Sequence, residues 1–378
     1  MKGRFPAGAQ VFFFAAFLVL SLPAAAEDQE LSGTVESNLR AARLADEDGG
    51  DGGNSLSFEQ YANLRLEARA GVKGTFHAAA NLFASTDSDP VIELERLYYR
   101  IEEDAFDAEA GLFRLAFGFG QAWSPSDFMA ARNPLVPDAR PRGILGAAAT
   151  AYPSDEWQAT AFAAAGNDPM AADGEGAVAG ASAEYHGRSG SLQVLYAIQA
   201  DDSGAADAVH RGGLSIKADA VVGLALDALY KLDGVTVRSG DYHGLDWNAA
   251  RGLMAALGAD YSLLDGDLYL LAQYLYSGGG ALDPREGYGP RNYVYAAANW
   301  RIDDYSSAAL DCGASLDDFS AVPSLTLSHE PFQGMALSIS GRLPLDERTF
   351  SSSGNRGEFG PVAAGRSFSL SAKAKLRF

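Results

Sequence analysis

Residues 367–378 read SFSLSAKAKLRF, and their alternation decides the fold. Phe368, Leu370, Ala372, Ala374, Leu376 and Phe378 fall on one side of an extended chain. Ser367, Ser369, Ser371, Lys373, Lys375 and Arg377 fall on the other. Successive side chains of a strand point to opposite faces, so this stretch is a ribbon with one apolar and one polar face. A tilted strand of ~9–11 residues crosses a bilayer, and this one is long enough.

The same alternation recurs along the chain. Leu56, Phe58, Ala62, Leu64, Leu66 and Ala68 oppose Glu59, Tyr61, Asn63, Arg65, Glu67 and Arg69. Leu97, Tyr99 and Ile101 oppose Arg96, Tyr98 and Arg100. Later strands are rich in Ala, Leu and Tyr on one face. The reading gives an all-β chain, a transmembrane antiparallel up-and-down β-barrel of about 18 strands, with 16 as the alternative. Connections alternate long and short, as in barrels with short periplasmic turns and long external loops. Arg40 to Asn54 is expected as a polar loop. A bulge near Gly111 is expected, because Ala108 and Ala110 follow one register and Phe113, Leu115 and Phe117 the other. A strand is expected to begin after Pro323, which lacks an N–H for a ladder. On the clearer strands, the centres of the apolar rows carry no charge. Trp157, Tyr185, Tyr261, Trp300 and Phe378 map outward near the short turns. Phe58, Tyr230, Tyr274 and Tyr276 map outward near the long loops, giving the two aromatic belts expected at membrane interfaces.

The N-terminus points to export. Lys2 and Arg4 precede an apolar core, Val11 to Leu22, and Ala24-Ala25-Ala26 supplies a cleavage site before Glu27. Residues 1–26 therefore read as a signal peptide and 27–378 as the barrel. The remainder holds 27 basic against 49 acidic residues, a formal charge of −22, which argues against a nucleic-acid partner. Cys312 is the only cysteine, so no intramolecular disulfide forms. No segment after the leader is apolar for long enough to make a membrane-spanning helix.

The leader, the strand–turn rhythm and the terminal strand ending in Phe378 resemble those of outer-membrane β-barrel proteins of diderm bacteria, in particular the porins. The resemblance implies that Phe378 marks a strand recognised by the barrel-assembly machinery. It implies an outer-membrane location among lipid and lipopolysaccharide, no cofactor and no metal. It leaves homotrimer formation open.

Two features bear on function. The longest interruption in the first half, Gly118 to Gly143, is rich in Pro and carries Asp127, Arg132, Asp138, Arg140 and Arg142. It resembles the infolded constriction loop of porins; the alternative is a loop packed over the rim. Arg65, Arg69, Arg96 and Arg100 point inward with Lys373, Lys375 and Arg377, on strands that become neighbours when a barrel closes. Together these residues predict a channel for passive diffusion of small hydrophilic solutes with a preference for anions. Wall salt bridges with Glu59, Glu67 and Glu102 are the plainer reading of the same row. A non-conducting surface barrel, an adhesin or a structural protein, is the alternative function. Asp46 to Asn54 lacks the closing Glu of a calcium loop and reads as a solvated loop, or one bridged by divalent ions to lipopolysaccharide. None of His77, His186, His210, His243 and His329 sits in a nucleophile motif, so no enzyme is expected.

Overall fold

The computed structural model describes residues 29–45, 51–69, 73–86, 88–129, 143–167, 175–200, 208–232, 252–278, 291–350, 357–361 and 364–378. The expected leader, residues 1–26, lies outside them. Eighteen strands form in chain order. They are β1 (Gln29–Ala45), β2 (Asp51–Arg69), β3 (Gly74–Ser85), β4 (Val91–Glu102), β5 (Phe106–Phe113), β6 (Ile144–Ser154), β7 (Trp157–Asn167), β8 (Glu175–Gly187) and β9 (Gly190–Gln199). The second half comprises β10 (Val209–Asp219), β11 (Gly223–Leu232), β12 (Leu253–Leu263), β13 (Leu268–Ser277), β14 (Arg291–Arg301), β15 (Ser306–Ser315), β16 (Ser320–Phe332), β17 (Met335–Arg342) and β18 (Arg366–Arg377). Each pairs antiparallel with the next, and β18 pairs with β1. The expected up-and-down barrel is therefore present and closed. Closure leaves no unpaired strand edge, the condition a sheet must meet in lipid. Among the described residues, no helix is long and apolar enough to cross a membrane.

Register assigns each side chain to a face. Leu39, Leu97, Leu145, Val194, Leu257, Leu310, Leu325 and Leu370 lie exposed on the outer rows. Between the belts those rows hold no Asp, Glu, Lys or Arg among the described residues. Trp157 stands opposite Tyr185 across β7 and β8, with rings 5.1 Å apart. Tyr261, Trp300 and Phe378 share that end. The turns there are short and self-bonded. Lys73 hydrogen-bonds Glu103, which holds its ammonium above the usual lysine range. The Tyr305 N–H holds the Asp303 carboxyl below the usual carboxylate range.

Three local expectations change. The polar stretch 40–54 is largely wall: β1 runs to Ala45, β2 starts at Asp51, and these two residues pair. Backbone pairing continues there beyond the apolar rows. The bulge lies on β4, not at Gly111. Ala79 pairs with Arg96 and Ala80 with Leu94, which leaves Glu95 as the extra residue. β5 keeps its register through Gly111, where φ is 127° and a Cβ would stand 2.3 Å from the Leu97 carbonyl oxygen. The register conflict read from Phe113, Leu115 and Phe117 has another cause: β5 ends at Phe113, and the phenyl rings turn into the barrel. Finally, β16 begins at Ser320 and includes Pro323. The Pro323 carbonyl accepts the Leu343 N–H, just beyond the end of β17. A strand residue's N–H and C=O point the same way, so the missing donor faces the side where the β17 ladder has stopped.

The last residue adds one more pair to the β1–β18 seam. Phe378 and Gly33 exchange both backbone hydrogen bonds, at 2.9 and 3.1 Å. A Cβ on Gly33 would lie 2.8 Å from the Phe378 ring and 2.7 Å from the Asn63 carbonyl. Overpacking of this kind costs about 1–3 kcal/mol. Gly33→Val is expected to reduce the yield of heat-modifiable, folded protein on an unheated gel; a wild-type yield would show that the ring does not need this gap.

Candidate functional site on the inner wall

The inner face divides into a covered arc and a charged arc. On the covered arc, from β5 to β14, a group of inward residues is apolar although it faces the barrel interior. Phe113, Ile144, Ala148, Phe162, Val178, Leu195 and Leu229 are buried there. What buries them is the chain after β5. Phe117, Phe128 and Met129 join the same cluster, with the Phe117 and Phe162 rings 5.2 Å apart. Burying a side chain of this size contributes about 1.5–3 kcal/mol.

Three wall side chains bind the backbone and hydroxyls of this segment. Gln193 on β9 accepts the Gly118 N–H at 2.7 Å. Gln273 on β13 accepts the Ala122 and Trp123 N–H groups at 2.9 and 2.8 Å and donates to the Trp123 carbonyl at 2.7 Å. Asp227 on β11, fully buried, accepts from the Ser126 hydroxyl at 2.5 Å and N–H at 3.2 Å, from Ser215 at 3.0 Å, and from Ser124. These three strands alternate around the wall, so their inward side chains form a row beneath the segment.

A second segment meets the first. After β17 the chain bridges Ala321 to Leu345, forms the one-turn helix α1 (Glu347–Phe350), and returns along the interior. Tyr293 donates to Glu358 at 2.7 Å, and the Phe359 N–H donates to Ser320 at 3.0 Å. Trp123, Tyr293 and Phe359 pack together, with successive ring distances of 6.3 and 5.7 Å. This contact joins the two segments over β14.

The charged arc runs from β18 through β1 to β4. Arg65, Ala79 and Arg96 occupy one rung of β2, β3 and β4; Arg69, Thr75 and Arg100 occupy another. Lys375 pairs with Glu36 at 2.7 Å and Arg40 with Glu59 at 3.5 Å. Arg100 donates to Asp107 at 2.7 Å and lies 3.1 Å from Glu102. The bulge turns Glu95 inward, where it is buried and accepts from Asn63 and Arg114, each at 2.7 Å. That leaves Arg96 at 3.7 Å from Glu95. Arg65 bonds a neutral amide, its Nε donating to Asn63 at 2.7 Å. Between these two rungs His77 stacks on Tyr98 at 4.6 Å, beside Glu67.

Of the residues singled out in the sequence, Arg65, Arg69, Arg96 and Arg100 come together on this arc. Asp127 does not join them. It is buried, and its carboxylate accepts the Phe117 N–H at 3.3 Å within its own segment. Arg132, Asp138, Arg140 and Arg142 lie outside the described residues. Sequence reasoning missed Gln193, Asp227, Gln273, Glu95 and Glu358.

No protein-family model matches the chain, and no curated protein sequence matches it. Solved structures do. The outer membrane protein OpdK from Pseudomonas aeruginosa matches with a TM-score of 0.61 at 9% identity, covering 93% of this chain and 99% of that one. A BenF-like porin from Pseudomonas fluorescens Pf-5 matches with the same score, identity and coverage. P. aeruginosa OccK2 (OpdF), solved in complex with glucuronate, matches with a TM-score of 0.61 at 11% identity, covering 93% and 97%. The fold is that of an outer-membrane porin. Within this porin fold the wall is common ground, and the side chains on it are this chain's own: at these identities nine residues in ten differ.

Proposed function

We propose that this chain is an outer-membrane channel for passive diffusion of small hydrophilic solutes, with a preference for anions. The observation that carries the reading is the Arg65–Ala79–Arg96 rung. Two guanidiniums flank a side chain too small to separate them, on the charged arc of the wall. Glu95, the nearest carboxylate, is already occupied by Asn63 and Arg114. Arg96 and Arg65 therefore present positive charge toward the interior, where rings of charged side chains select ions at short range. Arg69 and Arg100 extend the field along the wall. Residues 118–143 act as the constriction, and Arg132, Asp138, Arg140 and Arg142 set its charge, with Asp127 holding its fold. The glucuronate bound by OccK2 is a solute of the expected size and sign. Export by residues 1–26, recognition of Phe378 by the barrel-assembly machinery and contact with lipopolysaccharide complete the proposal. No catalytic role is assigned to any residue.

The test is electrical. The refolded protein in a planar bilayer under a salt gradient is expected to show open steps with an anion-selective reversal potential, shifted toward cations by Arg65→Glu/Arg96→Glu. Folded protein without conductance would instead favour a plugged surface barrel.

A further inference from the structure

We propose that Asp227 is the positioning residue that sets the width of the channel, by holding the segment after β5 against the wall. The proposal rests on the channel reading above. Asp227 sits in the middle of β11, on an inner row where its neighbours are Ala225 and Leu229. An acid there, wholly buried between apolar side chains, needs donors, and the donors come from two places. Ser215 lies opposite it on β10 and donates at 3.0 Å. Ser124 and Ser126 reach it from the segment, Ser126 through both its hydroxyl and its N–H. Ser126 and Ser215 also lie 3.2 Å apart, oxygen to oxygen. One carboxylate thus joins residues 124–126 to two wall strands.

The approach is tight enough to constrain the sequence around it. Gly118, with φ of 83°, passes so close that a Cβ would stand 2.1 Å from the Asp227 carboxylate. The Ser124 hydroxyl also lies 2.9 Å from the Phe117 carbonyl, which brings the start of the segment to the same point. Gln193 and Gln273 bind single stretches of backbone on either side. Asp227 is the centre of the row and the only charged member. Hydrogen bonds to charged acceptors are the strong class, so releasing this carboxylate removes the strongest polar hold on the turn.

The decisive test is reversible within one protein. Cys312, on the outer face, is first replaced by Ala, and that protein is the parent. Asp227→Ala is then combined with Ser126→Cys and Ser215→Cys, at two side chains whose oxygens lie 3.2 Å apart. Reduced, this barrel is expected to show about a two-fold rise in unitary conductance with added current noise, as a constriction moves off the path. Oxidised, the same molecules are expected to return to the parental conductance. Asp227→Asn, which keeps the shape and loses the charge, is expected to be noisier than the parent. Equal conductance of the oxidised and reduced forms, or parental behaviour of Asp227→Ala, would overturn the proposal. A non-conducting parent would instead sink the channel reading. Positioning is then judged by acrylamide quenching of Trp123, which is 4% exposed. Quenching that rises in Asp227→Ala, relative to a Trp123→Phe control, supports the hold on the segment, and unchanged quenching refutes it.

Discussion

Replacing residues 114–143 with a short Asn-Gly turn is expected to raise the unitary conductance about three-fold or more, because it removes the main obstruction on the path. The ends can be joined without strain, since Phe113 and Ile144 already pair across β5 and β6. The wall is expected to survive. Its ladder closes through β18 and β1, and among the described residues the segment contributes no strand. What is lost is the covering of Phe162, Leu195 and Leu229, at about 1.5–3 kcal/mol for each side chain fully exposed. Asp227 and Gln273 would then face water, which supplies the hydrogen bonds the segment made. The variant should therefore fold less stably, remain heat-modifiable on an unheated gel, and conduct more. A folded variant with the parental conductance would mean that residues 114–143 do not narrow the path.

Leu325→Arg and Thr326→Arg, one residue apart on β16, are expected to differ sharply in stability. Leu325 lies on the outer row, paired with Leu310, and Thr326 faces the interior, paired with Ala309 and Ser340. An arginine near the bilayer midplane costs about 2–4 kcal/mol, whereas an inward one can reach water. Urea titration of folding into lipid vesicles reads the difference directly. Equal losses would contradict the assignment of the outer face to lipid. The inward variant should also move ion selectivity, which the outward one should not.

The wall was legible because its signal is local. Alternation with period two in Leu56–Arg69 or Ser367–Phe378 fixes face and strand together, and the short turns mark the ends. The arginine rungs followed from the same rule, since Arg65 and Arg96 fall on inward rows of strands two apart. The covered arc was harder to read, because it depends on contacts between residues about 75 to 150 positions apart, such as Gly118 with Gln193 and Trp123 with Gln273. A trace of it is present in the sequence. Phe162, Leu195, Leu229 and Leu275 occupy inward positions that would be polar in a wall lined only by water. Asp227 in GLALDALYKL lies between inward Ala225 and Leu229, and Gln273 in LYLLAQYLYS between inward Leu271 and Leu275. Strands apolar on both faces imply a cover on the inside, and the isolated polar residues mark where it is fastened.

The misplaced bulge has the same origin. Phe113 and Phe117 look like an outward row shifted by one residue, but Phe113 is an inward ring and Phe117 belongs to the chain that covers it. Pro323 misled for a different reason. Its cost depends on which neighbour its nitrogen faces, and that neighbour's strand ends one residue short.

The central claim is that charge on the inner wall between β18 and β4 governs passage through an open barrel. The measurement that tests it most directly is the reversal potential of single channels under a salt gradient, for the parent and for Arg65→Glu/Arg96→Glu. The account predicts stable open steps, an anion preference in the parent, and a shift toward cations in the double variant, with folding unchanged. Heat-modifiable protein that never conducts, or a reversal potential that does not move when both guanidiniums become carboxylates, would contradict it.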